Sequence, residues 1–299
     1  PWMVAVWPGM GNVALSSGYY LMSKLQMYGF AELSAEGLFD VDSADIKAGL
    51  VQPTQRPRNR FFAYKAPEGG RDIVVFIGEA QPPLGKYSFC ERLIEFGERL
   101  GVDRICTFAA MATGMHPRDD SRVFAAATDE ETLAILDRPD LHRLEDGQIG
   151  GLNGVLLGVA KDKGVRGMCL LGEMPQIFAQ IPFPKASLSV LKVFVDLASI
   201  ELEFGELEEQ ASSIDERLGE FMTQIEHQLE STMRQEPEDE FGFGTIDEGL
   251  SGEQEQKIER LFREASQDRS KAYELKRELD RLDAFDDYED RFLDLFKRE

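Results

Sequence analysis

The chain has 299 residues, more than one ordinary domain of roughly 100 to 200 residues. Apolar residues at 42% and charged residues at 29% are close to globular averages, which excludes a wholly disordered, collagen-like or coiled-coil chain. The 55 acidic residues outnumber the 33 basic ones, for a net charge of −22. Because neutralising phosphates requires clustered lysines and arginines, we expect no nucleic-acid partner.

Two further classes are excluded by the apolar and cysteine patterns. No apolar stretch reaches the roughly 18 residues needed to cross a bilayer, and no secretory signal is readable, so we expect a soluble protein with no membrane partner. The three cysteines, at 90, 106 and 169, are too few and too scattered for a disulfide framework. We expect buried thiols and a cytoplasmic location.

The charge is unevenly distributed along the chain. Residues 1–200 hold 20 basic and 24 acidic side chains, a net of −4, whereas residues 201–299 hold 13 and 31, a net of −18. This change in composition marks a boundary between a nearly neutral body and an acidic tail. We predict an α/β body at 1–204, an amphipathic helix at 205–233, an acidic glycine-rich linker at 234–252 and an acidic helical extension at 253–299.

Within the body, short apolar runs alternate with helix-period segments. Strands are predicted at 2–7, 61–65, 73–77, 105–110, 123–127 and 168–171, and helices at 13–28, 89–100, 152–161 and 187–204. Residues 30–34 form a poor strand, and Ser187 is a plausible N-cap after Pro184. The turn at 67–70 makes 61–65 and 73–77 an antiparallel hairpin. The alternation predicts an α/β sandwich with a mainly parallel, mixed sheet.

The segment from Gly9 to Ala14 reads G-x-G-x-x-A between the first strand and its helix, and Glu32 follows about 20 residues later. This is the arrangement of a dinucleotide-binding turn. Glycines at the same positions also permit a tight strand-to-helix turn with close backbone approach and no ligand. We favour the tight turn and keep a phosphate or nucleotide site as the alternative.

Two predicted strands end alike, at Gly78-Glu79 and Gly172-Glu173, each followed closely by proline. Ligands of open α/β sheets bind beyond the carboxyl ends of the strands, and polar residues lie on neighbouring loops there. The hypothetical ligand crevice comprises Gly9, Gly11, Asn12, Glu79, Thr113, Asn153 and Glu173. In the alternative, which we favour, the two glutamates cap helices or pair with arginines.

Familiar catalytic and metal signatures are missing. There is no G-x-S-x-G elbow and no complete P-loop, and His116, His142 and His227 are solitary. We therefore predict no catalytic residue, metal or cofactor. The basic residues at 56, 58, 60 and 65 are interpreted as a solvated loop rather than an anion site.

Beyond residue 252, apolar residues recur at alternating spacings of three and four, followed by an aromatic stripe in an acidic stretch. The candidate partner-docking residues are Leu275, Leu279, Phe285, Tyr288, Phe292 and Phe296. We expect them to pack on the chain's own body or on a sister subunit, and the alternative is a helix that docks another protein.

Five segments together resemble the prokaryotic branch of the proteasome assembly chaperone 2 family. They are the WPGMGNVA run at 7–14, GEAQP at 78–82, MATGM at 111–115, GGLNG at 150–154 and LGEMP at 171–175. The resemblance covers about residues 2 to 204 and implies a three-layer α/β/α domain, similar to nucleoside phosphorylases, that usually self-associates and has no established activity. In some lineages such proteins serve as assembly chaperones for proteasome subunits.

Two functions from different classes follow. The leading one is a non-enzymatic, self-associating interaction or chaperone-like protein, with other proteins as further partners. The alternative is a nucleotide- or nucleoside-binding protein or enzyme that uses the crevice.

Overall fold

A computed structural model describes most of the chain. The described residues are 1–34, 36–39, 44, 46–53, 56–234 and 252–267, together with 271, 275, 278, 279, 282, 284, 288 and 291, and the backbone alone is described at 225–234 and 252–253. The chain divides into two compact units, Pro1–Gln235 and Glu236–Glu299.

The first unit is built on an eight-stranded sheet. Its strands are β1 (Trp2–Val6), β2 (Tyr28–Glu32), β5 (Asn59–Tyr64), β6 (Ile73–Gly78), β7 (Arg104–Thr113), β8 (Val123–Ala127), β9 (Leu141–Arg143) and β10 (Arg166–Pro175). A separate two-stranded hairpin consists of β3 (Ile46–Lys47) and β4 (Leu50–Val51). The order across the large sheet is β2-β5-β6-β1-β7-β10-β8-β9. Strands β6, β1, β7 and β10 are mutually parallel, whereas β5 is antiparallel to both β2 and β6, and β8 is antiparallel to β10.

Helices cover both faces of this sheet. They are α1 (Val13–Lys24), α2 (Lys86–Arg99), α3 (Glu130–Ile135), α4 (Gly151–Asp162), α5 (Pro184–Ala198) and α6 (Gly205–Arg234). Along β1, Val4 and Val6 pack in the core with residues of α1, α5 and α6. Met3 and Ala5 pack in the opposite core with residues of α2 and α4. Because successive strand residues point to opposite faces, a central strand that is apolar throughout separates two helical layers. The predicted α/β/α sandwich with a mainly parallel, mixed sheet is confirmed.

Two predicted element bounds are wrong at the first helix. The helix predicted at 13–28 ends at Lys24, because Gln26 adopts a left-handed φ of 48° that an α-helix cannot continue. Tyr28 instead begins β2, the segment judged a poor strand. Its residues are largely exposed because β2 is the edge of the sheet and pairs with β5 alone.

The helix predicted at 187–204 is also displaced. It begins at Pro184, whose fixed φ suits the first helical position, so Ser187 is not an N-cap. Ser187 is buried one turn inside α5, where its hydroxyl donates to the carbonyl oxygen of Val13 at 3.3 Å. The helix stops at Ala198 because Ser199 is left-handed, and α6 begins separately at Gly205.

The second unit contains helix α7 (Gly252–Gln267). Its buried residues Ile258, Leu261 and Phe262 cluster with Leu275 and Leu279. Most of the predicted linker at 234–252 lies outside the described residues.

Candidate functional site

The parallel strands β1, β6, β7 and β10 all end at one edge of the sheet, here called the carboxyl edge. Strand β2 ends there too, since Glu32 pairs with Arg60 and Arg60 in turn pairs with Ile77 near the end of β6. Loops that follow these strands therefore meet at the carboxyl edge, where open α/β proteins place their sites.

The first loop, between β1 and α1, is held from inside the protein. Gly11 has a left-handed φ of 58°, its N–H donates to the Ala179 carbonyl oxygen at 2.8 Å, and its own carbonyl oxygen accepts from the Phe183 N–H at 2.9 Å. A Cβ at this position would lie 2.6 Å from Sδ of Met174. The Gly11 amide is thus already used, which supports the tight-turn interpretation.

The residues flanking that glycine do not assemble a nucleotide site either. Asn12 also adopts a left-handed φ, of 52°, and its side chain makes no capping hydrogen bond. Glu32, the acid expected to bind a ribose, instead pairs with Arg58 at 2.7 Å. The pKa of the Glu32 carboxyl is lowered mainly by that hydrogen bond.

Glu173 is a buried carboxylate at the centre of a polar cluster near the end of β10. Its carboxylate accepts hydrogen bonds from Nε and Nη2 of Arg122 at 2.7 and 2.6 Å and from the Thr113 hydroxyl at 2.7 Å. The Arg122 hydrogen bond is the largest cause of a lowered pKa at Glu173, and the Thr113 hydroxyl also lowers it. The carboxylate is therefore ionised and structurally occupied, as the favoured alternative proposed.

Glu79 belongs to a different ion pair. Its carboxylate accepts from Nη2 of Arg60 at 2.6 Å and from the Arg58 backbone N–H at 2.9 Å. Three strand spacings, about 14 Å, separate the ends of β6 and β10. The two glutamates therefore do not share one site, and Arg58 and Arg60 are ion-paired rather than forming a free basic patch.

A crevice of about 520 Å³ opens at the carboxyl edge between the end of β7 and the loop that precedes α4. Its apolar wall includes Ala109, Met111, Leu144, Ile149 and Leu171, and its polar lining includes Gln81, Asp146, Gln148 and Asn153. Of the seven crevice residues expected from the sequence, Gly9 and Asn153 line this space. The other five lie in the turn and the two ion-pair clusters described above.

Asn153 is positioned by α4 and β7. Its Nδ2 donates to the Phe108 carbonyl oxygen at 3.0 Å. Its Oδ1 is buried and has no hydrogen-bond partner among the described residues. One polar atom of a residue that lines the crevice is thus left without a hydrogen bond among the described residues.

Gln81 is a positioning residue that was absent from the expected set. Its Oε1 accepts from the Leu152 N–H at the start of α4, and its Nε2 donates to the Pro8 carbonyl oxygen, both at 3.0 Å. One side chain thus ties the loops after β1 and β6 to the first turn of α4. The sequence did contain one indication of Gln81, because this residue lies in the GEAQP run at 78–82 that resembles the family. No rule of residue spacing, however, predicts that its side chain joins these loops.

Glycines shape the rim of the crevice. Gly151 has a φ of 66°, and a Cβ there would lie 2.8 Å from Oε1 of Gln81. A Cβ at Gly154 would lie 1.8 Å from the Ile149 carbonyl oxygen, so the rim loop closes onto α4 only because Gly154 lacks a side chain.

Exposed apolar side chains concentrate at the carboxyl edge. Eight of the thirteen large apolar side chains exposed in the described part of the chain lie on segments that leave this edge: Met10, Ile46, Leu50, Val51, Leu84, Tyr87, Ile177 and Ile181. Leu84 is 78% exposed and Ile177 is 61% exposed. Exposed apolar side chains gathered on the loops of one edge are candidates for contact with another protein.

The candidate docking residues of the second unit are placed in part. Leu275 and Leu279 are fully buried within that unit, and the Tyr288 ring packs at 5.9 Å from the Phe262 ring. Phe285, Phe292 and Phe296 lie outside the described residues.

Among the described residues, no group of three or more His, Cys, Asp or Glu side chains is placed to hold a metal ion. No helix among them is long and apolar enough to span a membrane. The three cysteines are free and buried, and burial raises the pKa of the Cys90 and Cys169 thiols to about 12.

These features define a three-layer α/β/α protein with a glycine-shaped crevice and an apolar surface at the carboxyl edge. Within that class, the chain belongs to the PAC2 family, whose family model matches residues 3–222. The resemblance to the proteasome assembly chaperone 2 family is thereby confirmed.

Individual relatives agree with this assignment. MJ1210, an uncharacterized protein of Methanocaldococcus jannaschii, is 28% identical over 183 residues, or 60% of this chain and 68% of that protein. The Pyrococcus furiosus PbaB structure, described as an archaeal proteasome activator, is 26% identical, with a TM-score of 0.63 over 74% of this chain and 93% of that one. The Mycobacterium tuberculosis proteasome-assembly chaperone homologue Rv2125 is 21% identical, with a TM-score of 0.65 over 74% and 94%. The latter similarity concerns the fold.

Proposed function

We propose that this protein is a self-associating, non-enzymatic interaction protein of chaperone-like function, and that it contacts its partners through the carboxyl edge. The observation that carries this proposal is the concentration of exposed apolar side chains on loops of that edge. Glu79 and Glu173 at the same edge are held in ion pairs, so the charge of these two carboxylates is already compensated within the chain. Burying such surface against another protein is favourable at roughly 25 cal/mol per Å².

The class of partner is suggested by the relatives. PbaB is described as an archaeal proteasome activator and is 26% identical to this chain. We propose proteasome subunits or assembled proteasomes as partners, in addition to further copies of this chain. The three buried, free thiols are compatible with a reducing compartment, which supports a cytoplasmic location.

The proposal is tested by two measurements on the full chain. Light scattering should give a molar mass that is a multiple of the 33.6 kDa chain. Co-sedimentation with purified archaeal-type 20S proteasome core particles should recover the chain in the pellet, and Ile177→Asp should weaken that recovery. Ile135→Asp on α3 is the matched control, because Ile135 is also exposed but lies at the opposite edge. A 33.6 kDa species that stays in the supernatant would refute the proposal.

A second candidate is the binding of a small molecule in the crevice. The unpartnered Oδ1 of Asn153 in a space of about 520 Å³ favours it, since drug-sized ligands occupy clefts of about 300 to 1,000 Å³. A thermal-unfolding screen with nucleosides and nucleotides tests it. A ligand at 100 times its dissociation constant stabilises by about 2.7 kcal/mol, so an unchanged melting temperature throughout the panel counts against this function.

A further inference from the structure

The β3–β4 hairpin pairs with no other strand of the described part of the chain. Ile46 pairs with Val51 and Lys47 with Leu50, and the two residues between the strands, Ala48 and Gly49, have φ of 51° and 78°. A two-residue turn with positive φ at both positions is common in β-hairpins, because its backbone twist matches the right-handed twist of the two strands. The hairpin is thus locally well formed, although it belongs to no larger sheet among the described residues.

The hairpin exposes its apolar side chains. Ile46 and Val51 are 71% exposed and Leu50 is 70% exposed. A Cβ on Gly49 would meet no atom within 4 Å, so there is open space beside the turn. An isolated two-stranded hairpin is at best marginally stable in water, because it has no apolar face to bury. Burying these apolar side chains against another surface would therefore stabilise the hairpin.

The hairpin and the crevice are attached to the same edge of the sheet. The segment that carries the hairpin leaves β2 after Glu32 and enters β5 at Asn59, which pairs with Gly78 at the carboxyl edge. Leu38 anchors this segment to the body, since it is partly buried against the core cluster that includes Phe89 and Leu152. The crevice opens from the same edge, between loops that follow β1, β6 and β7.

We propose that the β3–β4 hairpin of one copy occupies the crevice of a second copy, and that this exchange is the self-association surface. This inference rests on the proposed function, which includes self-association. The apolar crevice wall suits Leu50 and Val51, and Lys47 on the hairpin is opposite in charge to Asp146 on the crevice lining. In a two-fold dimer each surface contacts its counterpart twice, so two hairpins and two crevices are covered in one contact.

Another copy suits this role better than an unrelated protein. Both halves of the contact, the hairpin and the crevice, are present on every copy and on one edge, as a self-complementary interface requires. The hairpin and the crevice both lie within residues 1–200, which carry a net charge of only −4 of the chain's total of −22.

The first test measures molar mass by sedimentation equilibrium for the full chain and for Ile46→Asp/Val51→Asp. We expect the wild type to associate and the double variant to raise the dissociation constant by about 100-fold or more, with an unchanged circular-dichroism melt. Ile135→Asp, at the opposite edge, is the control and should associate like the wild type.

The second test identifies what the hairpin touches. Leu50→Cys and Gln148→Cys are made in separate full-length chains, mixed and oxidised, because Leu50 and Gln148 are exposed while the native cysteines are buried. A disulfide-linked dimer that forms only in the mixture supports the inference. A wild type that associates normally, but whose association survives the double variant and yields no such disulfide, overturns this inference alone.

A monomeric wild type would instead overturn the self-association in the proposed function, and the inference with it. If the wild type is monomeric and the double variant loses binding to 20S core particles, the occupant is another protein and the inference is wrong.

Discussion

The guanidinium of Arg122 and the carboxylate of Glu173 form two hydrogen bonds of 2.6 and 2.7 Å, with the acid buried and the base about half exposed. Together with Thr113, they occupy a strand end that the sequence analysis included in the hypothetical ligand crevice. The same geometry explains why this part of the carboxyl edge is structural.

The Arg122–Glu173 pair predicts a pH-dependent stability. The folded-state pKa of Glu173 is lowered from its ordinary value of 4.5, so the pair contributes its full stability above about pH 4.5 and loses it as pH falls through the folded pKa. Arg122→Met should destabilise the folded state at neutral pH, because it leaves the buried Glu173 carboxylate without its charged partner, and the cost should shrink in acid. Urea unfolding from about pH 7 to about pH 3 measures it. A cost that stays constant with pH, or an equal cost for Arg143→Met at an exposed site on β9, would contradict the account.

Replacing Gly11 by alanine should lower the free energy of unfolding much more than replacing the nearby Gly9. Gly11→Ala forces a side chain into a left-handed conformation and against Met174, and should cost about 2 kcal/mol or more. Gly9→Ala is the control, since its φ is −166° and no atom lies within 4 Å of an added Cβ. The free energy of unfolding in urea checks both variants, and equal losses would argue against the tight-turn interpretation.

The two hydrogen bonds of the Gln81 side chain should stabilise the arrangement of the loops after β1 and β6 against the first turn of α4. Gln81→Met keeps the approximate volume and removes both hydrogen bonds, including the one that satisfies an N–H in the first turn of α4. We expect a loss of about 1 to 2 kcal/mol in the free energy of unfolding. Gln148→Met, at an exposed position of the crevice rim, should change it little. If Gln81→Met and Gln148→Met have the same free energy of unfolding, Gln81 does not stabilise the loops as proposed.

A substitution in the buried cluster of the second unit should destabilise that unit locally. Leu279→Asp places an unpaired charge in the cluster formed with Ile258 and Leu261, and should cost that unit about 3 kcal/mol or more. Hydrogen exchange of residues 252–267 should then accelerate strongly, whereas Gln256→Asp, which adds the same charge at an exposed position, should leave it near the wild-type rate. Unchanged protection in Leu279→Asp would show that the cluster does not support α7.

The layered fold was predictable because its signals are local. Continuous apolar runs such as 73–77 indicate buried parallel strands, and the glycine turns mark strand ends. The bounds failed where one residue overrides periodicity, as at Gln26 and Ser199, whose left-handed backbone ends a helix that the pattern would extend. The residues that line the crevice were harder to predict from the sequence. A hydrogen bond such as that between Gln81 and Leu152 joins residues 71 positions apart, and it produces no periodic pattern in the sequence.

The central claim, that the carboxyl edge is the protein-contact surface, is tested most directly by hydrogen–deuterium exchange of the full chain at high and at low protein concentration. The account predicts that association slows exchange in the edge segments 9–12, 46–51, 84–87 and 176–181, while 130–135 at the opposite edge is unchanged. Exchange that is equal at both concentrations in all four edge segments, or slowed only at 130–135, would contradict it.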